Sequence, residues 1–178
     1  RYAALISYDG TEFAGWQRQK NAVSVQEVLE NALKTAFHKE ITVTASGRTD
    51  AGVHAEGQVC HFDADLTLPA DKFPEAVNRF LPDGVSLLKS AAAKDGFDAN
   101  RTAKRKTYRY SFYVYPQKLP PKERYSLRLD AAPPIGKLCR AAAMMKGEHD
   151  FKAFCAANYS VKTTVRTVYE VRAEEKES

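Results

Sequence analysis

Short apolar runs of strand length alternate with amphipathic segments of helical period along this chain. That alternation limits the fold more than any other feature. Residues 2–8 (YAALISY) are mostly apolar and closed by Asp9-Gly10, so they read as a buried strand ending in a turn. Ser24 and Glu27 form a capping-box pattern. Behind it Val28, Leu29, Ala32, Leu33, Ala36 and Phe37 recur on one helical face. Strands are predicted over 41–45, 58–63 and 85–92, and a helix over 71–80, ended by Leu81-Pro82-Asp83-Gly84. In 108–115 the residues Tyr108, Tyr110, Phe112 and Val114 alternate onto one face of a further strand. A helix over 135–145 follows two prolines and is closed by Gly147, and 163–173 alternates as a last strand.

The order β-α-β, β-α-β, then strand, helix, strand predicts an α+β fold. Its first part reads as a split β-α-β unit (ferredoxin-like, RRM-like), with helices on one face of a mostly antiparallel sheet. A second, related unit begins near Arg101 and reads as incomplete. The expected domains are therefore 1–100 and 101–178.

Composition narrows the class. The chain has 178 residues, enough for one large or two small domains, and no apolar run approaches the ~20 residues of a membrane span. The net charge of +5 is a modest basic excess, so the placement of the cations matters more than their sum. Cys60, Cys139 and Cys155 lie far apart in no zinc-ligand spacing, which predicts free thiols in a reducing compartment and no metal. The first residues carry no secretory pattern, so the expected location is cytoplasmic.

The candidate chemistry lies in Ser46-Gly47-Arg48-Thr49-Asp50-Ala51-Gly52-Val53-His54. Gly47 and Gly52 can take positive φ, allowing a tight turn and close approach to a ligand. An Asp beside a permanent cation stays ionised, as nucleophilic or general-base work by a carboxylate requires. Taken alone, such a turn is more often a local ion pair or an Asx turn.

A second candidate follows at 101–109. Arg101, Lys104, Arg105, Lys106 and Arg109 place five cations in nine residues, leading into the aromatic strand. Cations that neutralise phosphates, next to rings that stack on bases, suit RNA binding; the alternative is a solvated basic turn before a strand whose rings fill a core. Among the histidines, His38 falls at a helix C-terminus, His54 adjoins the Arg-Asp loop, His61 lies on a strand, and His149 is placed in a turn.

Several segments resemble one family in order: Ser7-Tyr-Asp-Gly10, Gly15-Trp16-Gln17-Arg18-Gln19, Ser24-Val-Gln-Glu-Val-Leu-Glu30, Ser46 to His54, Gly57-Gln-Val59, Lys106-Thr-Tyr108-Arg-Tyr110 and Gly147-Glu-His-Asp-Phe151. They resemble the TruA-type tRNA pseudouridine synthases, and the Arg-Thr-Asp-Ala-Gly-Val-His string is the most specific part. The resemblance implies a cofactor-free isomerase that converts uridine to pseudouridine at positions 38, 39 and 40 of the tRNA anticodon stem-loop. Asp50 matches the family's catalytic aspartate, Tyr108 its base-stacking tyrosine, and Arg48 an arginine that displaces the base and pairs with the aspartate. The resemblance further implies two α/β halves with a basic cleft between them, and a homodimer. Arg101, Lys104, Arg105 and Lys106 are the expected RNA contacts.

Two departures stand out. Many members carry Phe-His-Ala-Arg where this chain has Phe97-Asp98-Ala99-Asn100, with Arg101 adjacent. The family pattern also continues past residue 178 with a strand and a helix bearing an arginine that meets the aspartate, so the chain reads as part of a longer protein. A non-catalytic RNA-binding protein of the same fold is the competing reading.

Overall fold

The computed structural model describes residues 1–155 and 163–175. The chain divides into two compact units, Arg1–Tyr108 and Arg109–Ser178. The basic residues 101–108 thus fall in the first unit.

The first unit is built on a four-stranded antiparallel sheet in the order β2-β3-β1-β4. The strands are β1 (Tyr2–Tyr8), β2 (Val43–Ala45), β3 (Ala55–Phe62) and β4 (Val85–Ala92). Helix α1 (Val25–Phe37) links β1 to β2, and the short helix α2 (Phe73–Val77) links β3 to β4. Alternate residues of β1 (Ala4, Ile6 and Tyr8) are buried together with Leu29 and Leu33 of α1, Phe73 and Val77 of α2, Phe62 of β3 and Leu87 of β4. Period two on the strand and 3.6 on the helix bring these side chains into one core. Each fully buried Leu, Ile or Phe stabilises it by about 1.5–3 kcal/mol.

Half of the expected capping box forms: Ser24 Oγ accepts from the Glu27 N–H at 3.2 Å, while the Glu27 carboxylate lies 3.6 Å from Arg18. His38 ends α1 in the left-handed region (φ 54), its N–H donating to the Lys34 carbonyl at 2.8 Å. The single helix expected over 71–80 is instead one α-helical stretch, Phe73–Val77, flanked by tighter turns at Ala70–Lys72 and Asn78–Phe80. Pro74 is tolerated only near the start of such a segment, because it has no N–H to donate.

A buried polar group ties α1 to β2. Glu30 Oε1 accepts from the Val43 N–H (3.0 Å) and from Gln26 Nε2 (2.9 Å), while Glu30 Oε2 accepts from Arg18 Nη1 (3.1 Å). Gln26 Oε1 in turn accepts from the Arg18 N–H at 3.1 Å. Replacing Glu30 with Ala leaves the buried Val43 N–H without its acceptor, while Gln26 Nε2 keeps the Val43 carbonyl (3.2 Å) and the half-exposed Arg18 keeps Glu27 (3.6 Å). We expect Glu30→Ala to cost about 2–4 kcal/mol in urea unfolding, and Glu30→Gln, which keeps an acceptor for Val43, to cost less. Equal losses would show that the negative charge toward Arg18 matters, and not the acceptor.

The second unit departs further from the sequence expectation. Only Phe112–Val114 (β5) of the predicted strand 108–115 forms a ladder, and it pairs in parallel with β6 (Leu127–Leu129). Tyr108 and Tyr110 are 84% and 77% exposed. An alternating segment is held in a sheet by burial of one face, and these rings have no such burial. A short helix, α3 (Pro120–Glu123), lies between β5 and β6.

Helix α4 (Ile135–Met145) has its predicted bounds. Gly147 does not close it, however: it opens strand β7 (Gly147–Asp150) with φ 113. His149, expected in a turn, therefore lies in β7 opposite Arg166 of β8 (Val165–Val168), which is all that forms of the strand predicted over 163–173.

Candidate active-site loop

Strand β2 runs directly into the loop bearing Arg48, Thr49 and Asp50, and β3 leaves it at Ala55. The Ser46 N–H donates to the Val59 carbonyl (2.8 Å), which fixes the loop's entry against β3. At its tip the Val53 N–H closes a turn onto the Asp50 carbonyl (3.2 Å), with Gly52 at φ 78. That is the third position of a four-residue turn, where positive φ is needed in the type II form.

The second half of the clamp comes from the chain after β1. Trp16 N–H donates to the Thr49 carbonyl at 2.9 Å, and Gly52 N–H donates to the Phe13 carbonyl at 3.2 Å. The same segment satisfies the start of α1, where Val25 and Gln26 N–H groups donate to the Gly15 and Trp16 carbonyls. Backbone bonds therefore grip Asp50 one residue before it and two residues after it, and link that grip to a helix N-terminus.

The close approach depends on two glycines that the loop motif does not contain. A Cβ on Gly15 (φ 88) would lie 2.5 Å from the Thr49 oxygen, and one on Gly10 would lie 2.2 Å from the Val53 oxygen. Gly47 was expected to supply a left-handed turn but has no positive φ; its missing Cβ leaves room for the Lys106 ammonium, 2.9 Å from where that atom would stand. At Gly52 the conformation is as expected, with open space around it.

At the loop's exit His54 Nδ1 stands 3.1 Å from the Gly10 N–H and 3.0 Å from Asp9 Oδ1. One nitrogen cannot serve both partners at once: it accepts from Gly10 when unprotonated and donates to Asp9 when it carries a proton. Either bond ties the loop's exit to the turn that follows β1.

Arg48 and Asp50 are both exposed. Among the described residues no ion pair within 4.0 Å joins them, so the expected pairing is not made. Side chains two residues apart in a turn need not face each other, and two exposed charges gain little by ordering one another. Lys104, Arg105, Lys106 and Arg101 are exposed, as is Tyr108. The structure brings Lys106 against the Arg-Asp loop at Gly47.

The Phe97-Asp98-Ala99-Asn100 departure forms a turn of its own. Asp98 Oδ1 accepts from the Asn100 and Arg101 N–H groups at 2.9 and 2.8 Å, and these bonds, led by that from Arg101, hold the carboxyl below its ordinary range. His61, buried beneath it, accepts from the Ala99 N–H at 3.1 Å.

The three cysteines are free, and burial pushes the Cys60 thiol up to about 12. Among the described residues there is no group of three or more His, Cys, Asp or Glu side chains that could hold a metal, and no helix is long and apolar enough to cross a membrane.

The model of the tRNA pseudouridine synthase family matches residues 4–100 and 141–178. Sequence relatives agree. The chain is 39% identical over 173 residues to a tRNA pseudouridine synthase A of Thermoanaerobacter sp. (strain X514), covering 97% of this chain and 71% of the relative. It is 43% identical over 176 residues to the Bacillus subtilis (strain 168) protein of that name, covering 96% and 70%. The chain belongs to the tRNA pseudouridine synthase family. The match to this isomerase family takes in the Arg-Asp loop and both glycine contacts that hold it. The basic segment at 101–109 and β5 fall between the two matched stretches.

Sequence reasoning missed the structural partners of the loop. Gly10 and Gly15 stood in the quoted motifs, but nothing local marked them as touching residues forty positions away. Tyr8 ends the predicted strand 2–8 and stands in the Ser7-Tyr-Asp-Gly10 string, neither of which gives its hydroxyl a partner. Its hydroxyl lies 2.8 Å from Thr49 Oγ1.

Proposed function

We propose that this protein isomerises uridine to pseudouridine in the anticodon stem-loop of tRNA, at positions 38, 39 and 40, with the Asp50 carboxylate as the reacting group. The observation that carries the reading is an exposed carboxylate on a loop pinned through the backbone at Thr49 and Gly52. A reacting group must be both reachable and held in place.

Asp50 attacks the sugar at C1′, or removes a ribose proton, as the N1–C1′ bond breaks. The freed uracil turns and rejoins through C5. The C5 proton leaves to solvent and N1 takes one up, so the sum is an isomerisation that needs neither oxidant nor reductant. The target must first leave the base stack, at a cost of a few kcal/mol. Arg48, at the foot of the same loop, takes the place the base vacates. Tyr108, with its ring open to solvent, stacks on the extruded uracil and offsets about 1–3 kcal/mol of that cost. Lys104, Arg105, Lys106 and Arg101 neutralise flanking phosphates. The loop belongs to an N-terminal domain, 1–100, whose strand order we read as split β-α-β; 101–178 forms part of a second domain. We place the protein in the cytoplasm as a homodimer.

Tritium release from tRNA labelled at uridine C5 tests this directly, because the new bond at C5 must expel that hydrogen. Release is expected. None across a pool of tRNAs would leave RNA binding without chemistry as the better reading. If the Tyr108 ring is the platform, Tyr108→Phe should retain most turnover and Tyr108→Ala should lose about ten-fold or more. Equal damage would assign the role to the hydroxyl instead.

A further inference from the structure

Tyr8 is 4% exposed, yet it carries a hydroxyl into the core of the first unit. That hydroxyl has one described partner, Thr49 Oγ1, at 2.8 Å. Thr49 immediately precedes Asp50, and its carbonyl is held separately by the Trp16 N–H at 2.9 Å. The Trp16 ring lies 6.3 Å from the Tyr8 ring, and Gly15 lets the backbone reach the Thr49 oxygen. Both oxygens of Thr49 are thus taken by groups on or just after β1. A β-branched residue has few χ1 states, so holding its Oγ1 and its carbonyl together fixes its backbone direction. The next residue inherits that direction.

We propose that Tyr8 and Thr49 are positioning residues that aim Asp50, acting through this hydroxyl pair and not by touching the substrate. The inference rests on the isomerase reading above. The Tyr8 hydroxyl is suited to the task because a phenol is neutral across the physiological range and can donate or accept toward Thr49 Oγ1; burial only raises its pKa further. The ring alone would serve the core equally well as Phe. Burying a hydroxyl carries a desolvation cost that only a hydrogen bond offsets.

The test is a set of variants in the full chain, compared in the C5 tritium assay and in tRNA binding. Tyr8→Phe keeps the ring and removes one oxygen; Thr49→Val keeps the shape and removes the other. Each is expected to lower kcat about 10–100-fold with the tRNA Kd changed less than about two-fold. Thr49→Ser, which keeps the hydroxyl, should retain wild-type kcat within about three-fold. The double variant Tyr8→Phe/Thr49→Val should be no worse than Thr49→Val alone, because both remove one interaction. Unchanged kcat in Tyr8→Phe, or multiplied losses in the double variant, would overturn the proposal.

Hydrogen exchange keeps the clamp separable from the chemistry. Tyr8→Phe should speed exchange of the Trp16 amide, whose acceptor is the Thr49 carbonyl, about ten-fold, with β1 amides unchanged. Unchanged Trp16 exchange overturns the clamp whatever the turnover. Wild-type protein without turnover overturns the isomerase reading while leaving this readout intact.

Discussion

Asp50→Asn is expected to reduce C5 tritium release by at least about a thousand-fold while leaving tRNA binding nearly intact. The amide has the shape of the carboxylate but is neither a nucleophile toward C1′ nor a base for a ribose proton. Removing a negative charge from a surface that meets phosphates should, if anything, tighten binding and leave its salt dependence unchanged. Stability should move by less than about 0.5 kcal/mol, because the side chain is exposed and has no ion-pair partner in the described structure. The three readouts therefore separate cleanly. Turnover that survives in Asp50→Asn would remove the carboxylate from the chemistry. Turnover and binding lost together would make Asp50 a structural or RNA-contacting residue.

Gly15→Ala is expected to be the most damaging change that touches no reacting atom. Its Cβ would stand 2.5 Å from the Thr49 oxygen, 3.1 Å from the Asp50 carbonyl carbon and 3.2 Å from the Ala51 nitrogen. All three are backbone atoms, so no side chain can swing aside. Either the 13–16 segment or the Asp50 loop must move, and the Trp16–Thr49 hydrogen bond is lost in both cases. The φ of 88 adds conformational strain for any residue with a Cβ. Together these should cost about 2–4 kcal/mol of stability, and kcat should fall about a hundred-fold or more as the carboxylate is displaced. Gly52→Ala is the control. It has a similar φ of 78 but nothing within 4 Å of the new atom, so it should show the strain alone, about 1–2 kcal/mol. If Gly52→Ala impairs turnover as much as Gly15→Ala, backbone conformation rather than close packing sets the loop.

These predictions differ in how far the sequence could have reached them. Asp50 was marked by the resemblance of the Arg-Thr-Asp-Ala-Gly-Val-His string, since an Asp and an Arg in a glycine-bracketed turn by themselves also suit a local ion pair or an Asx turn. The glycine roles were not. Gly47 and Gly52 look equivalent in the motif, yet only Gly52 takes positive φ, while Gly47 makes room for Lys106. The Arg48–Asp50 pairing also failed to follow from adjacency, because two exposed side chains in a turn are not compelled to meet.

From Tyr108, the last residue of the first unit, to Tyr115, the alternation met the requirement for a strand but not the requirement for a buried face. Three residues of it pair, and Tyr108 and Tyr110 stay open to solvent.

What the sequence determined by itself was local. The bounds of β1, β4 and α4 and the Ser24 cap all follow from spacing between residues a few positions apart, and the candidate loop at 46–54 stands out as a local string. Periods of two and 3.6 need nothing beyond the chain's own neighbours. What only the tertiary structure decided was which distant groups hold that loop. Gly10 and Gly15 lie against its backbone, Tyr8 reaches Thr49, and Glu30 secures Val43 at the start of the strand that feeds it. Those meetings depend on sheet register and on where α1 docks, and register is set by how every strand buries one face at once. A contact across forty residues leaves no periodic trace, because it is selected by the packing of the whole core rather than by any stretch of it.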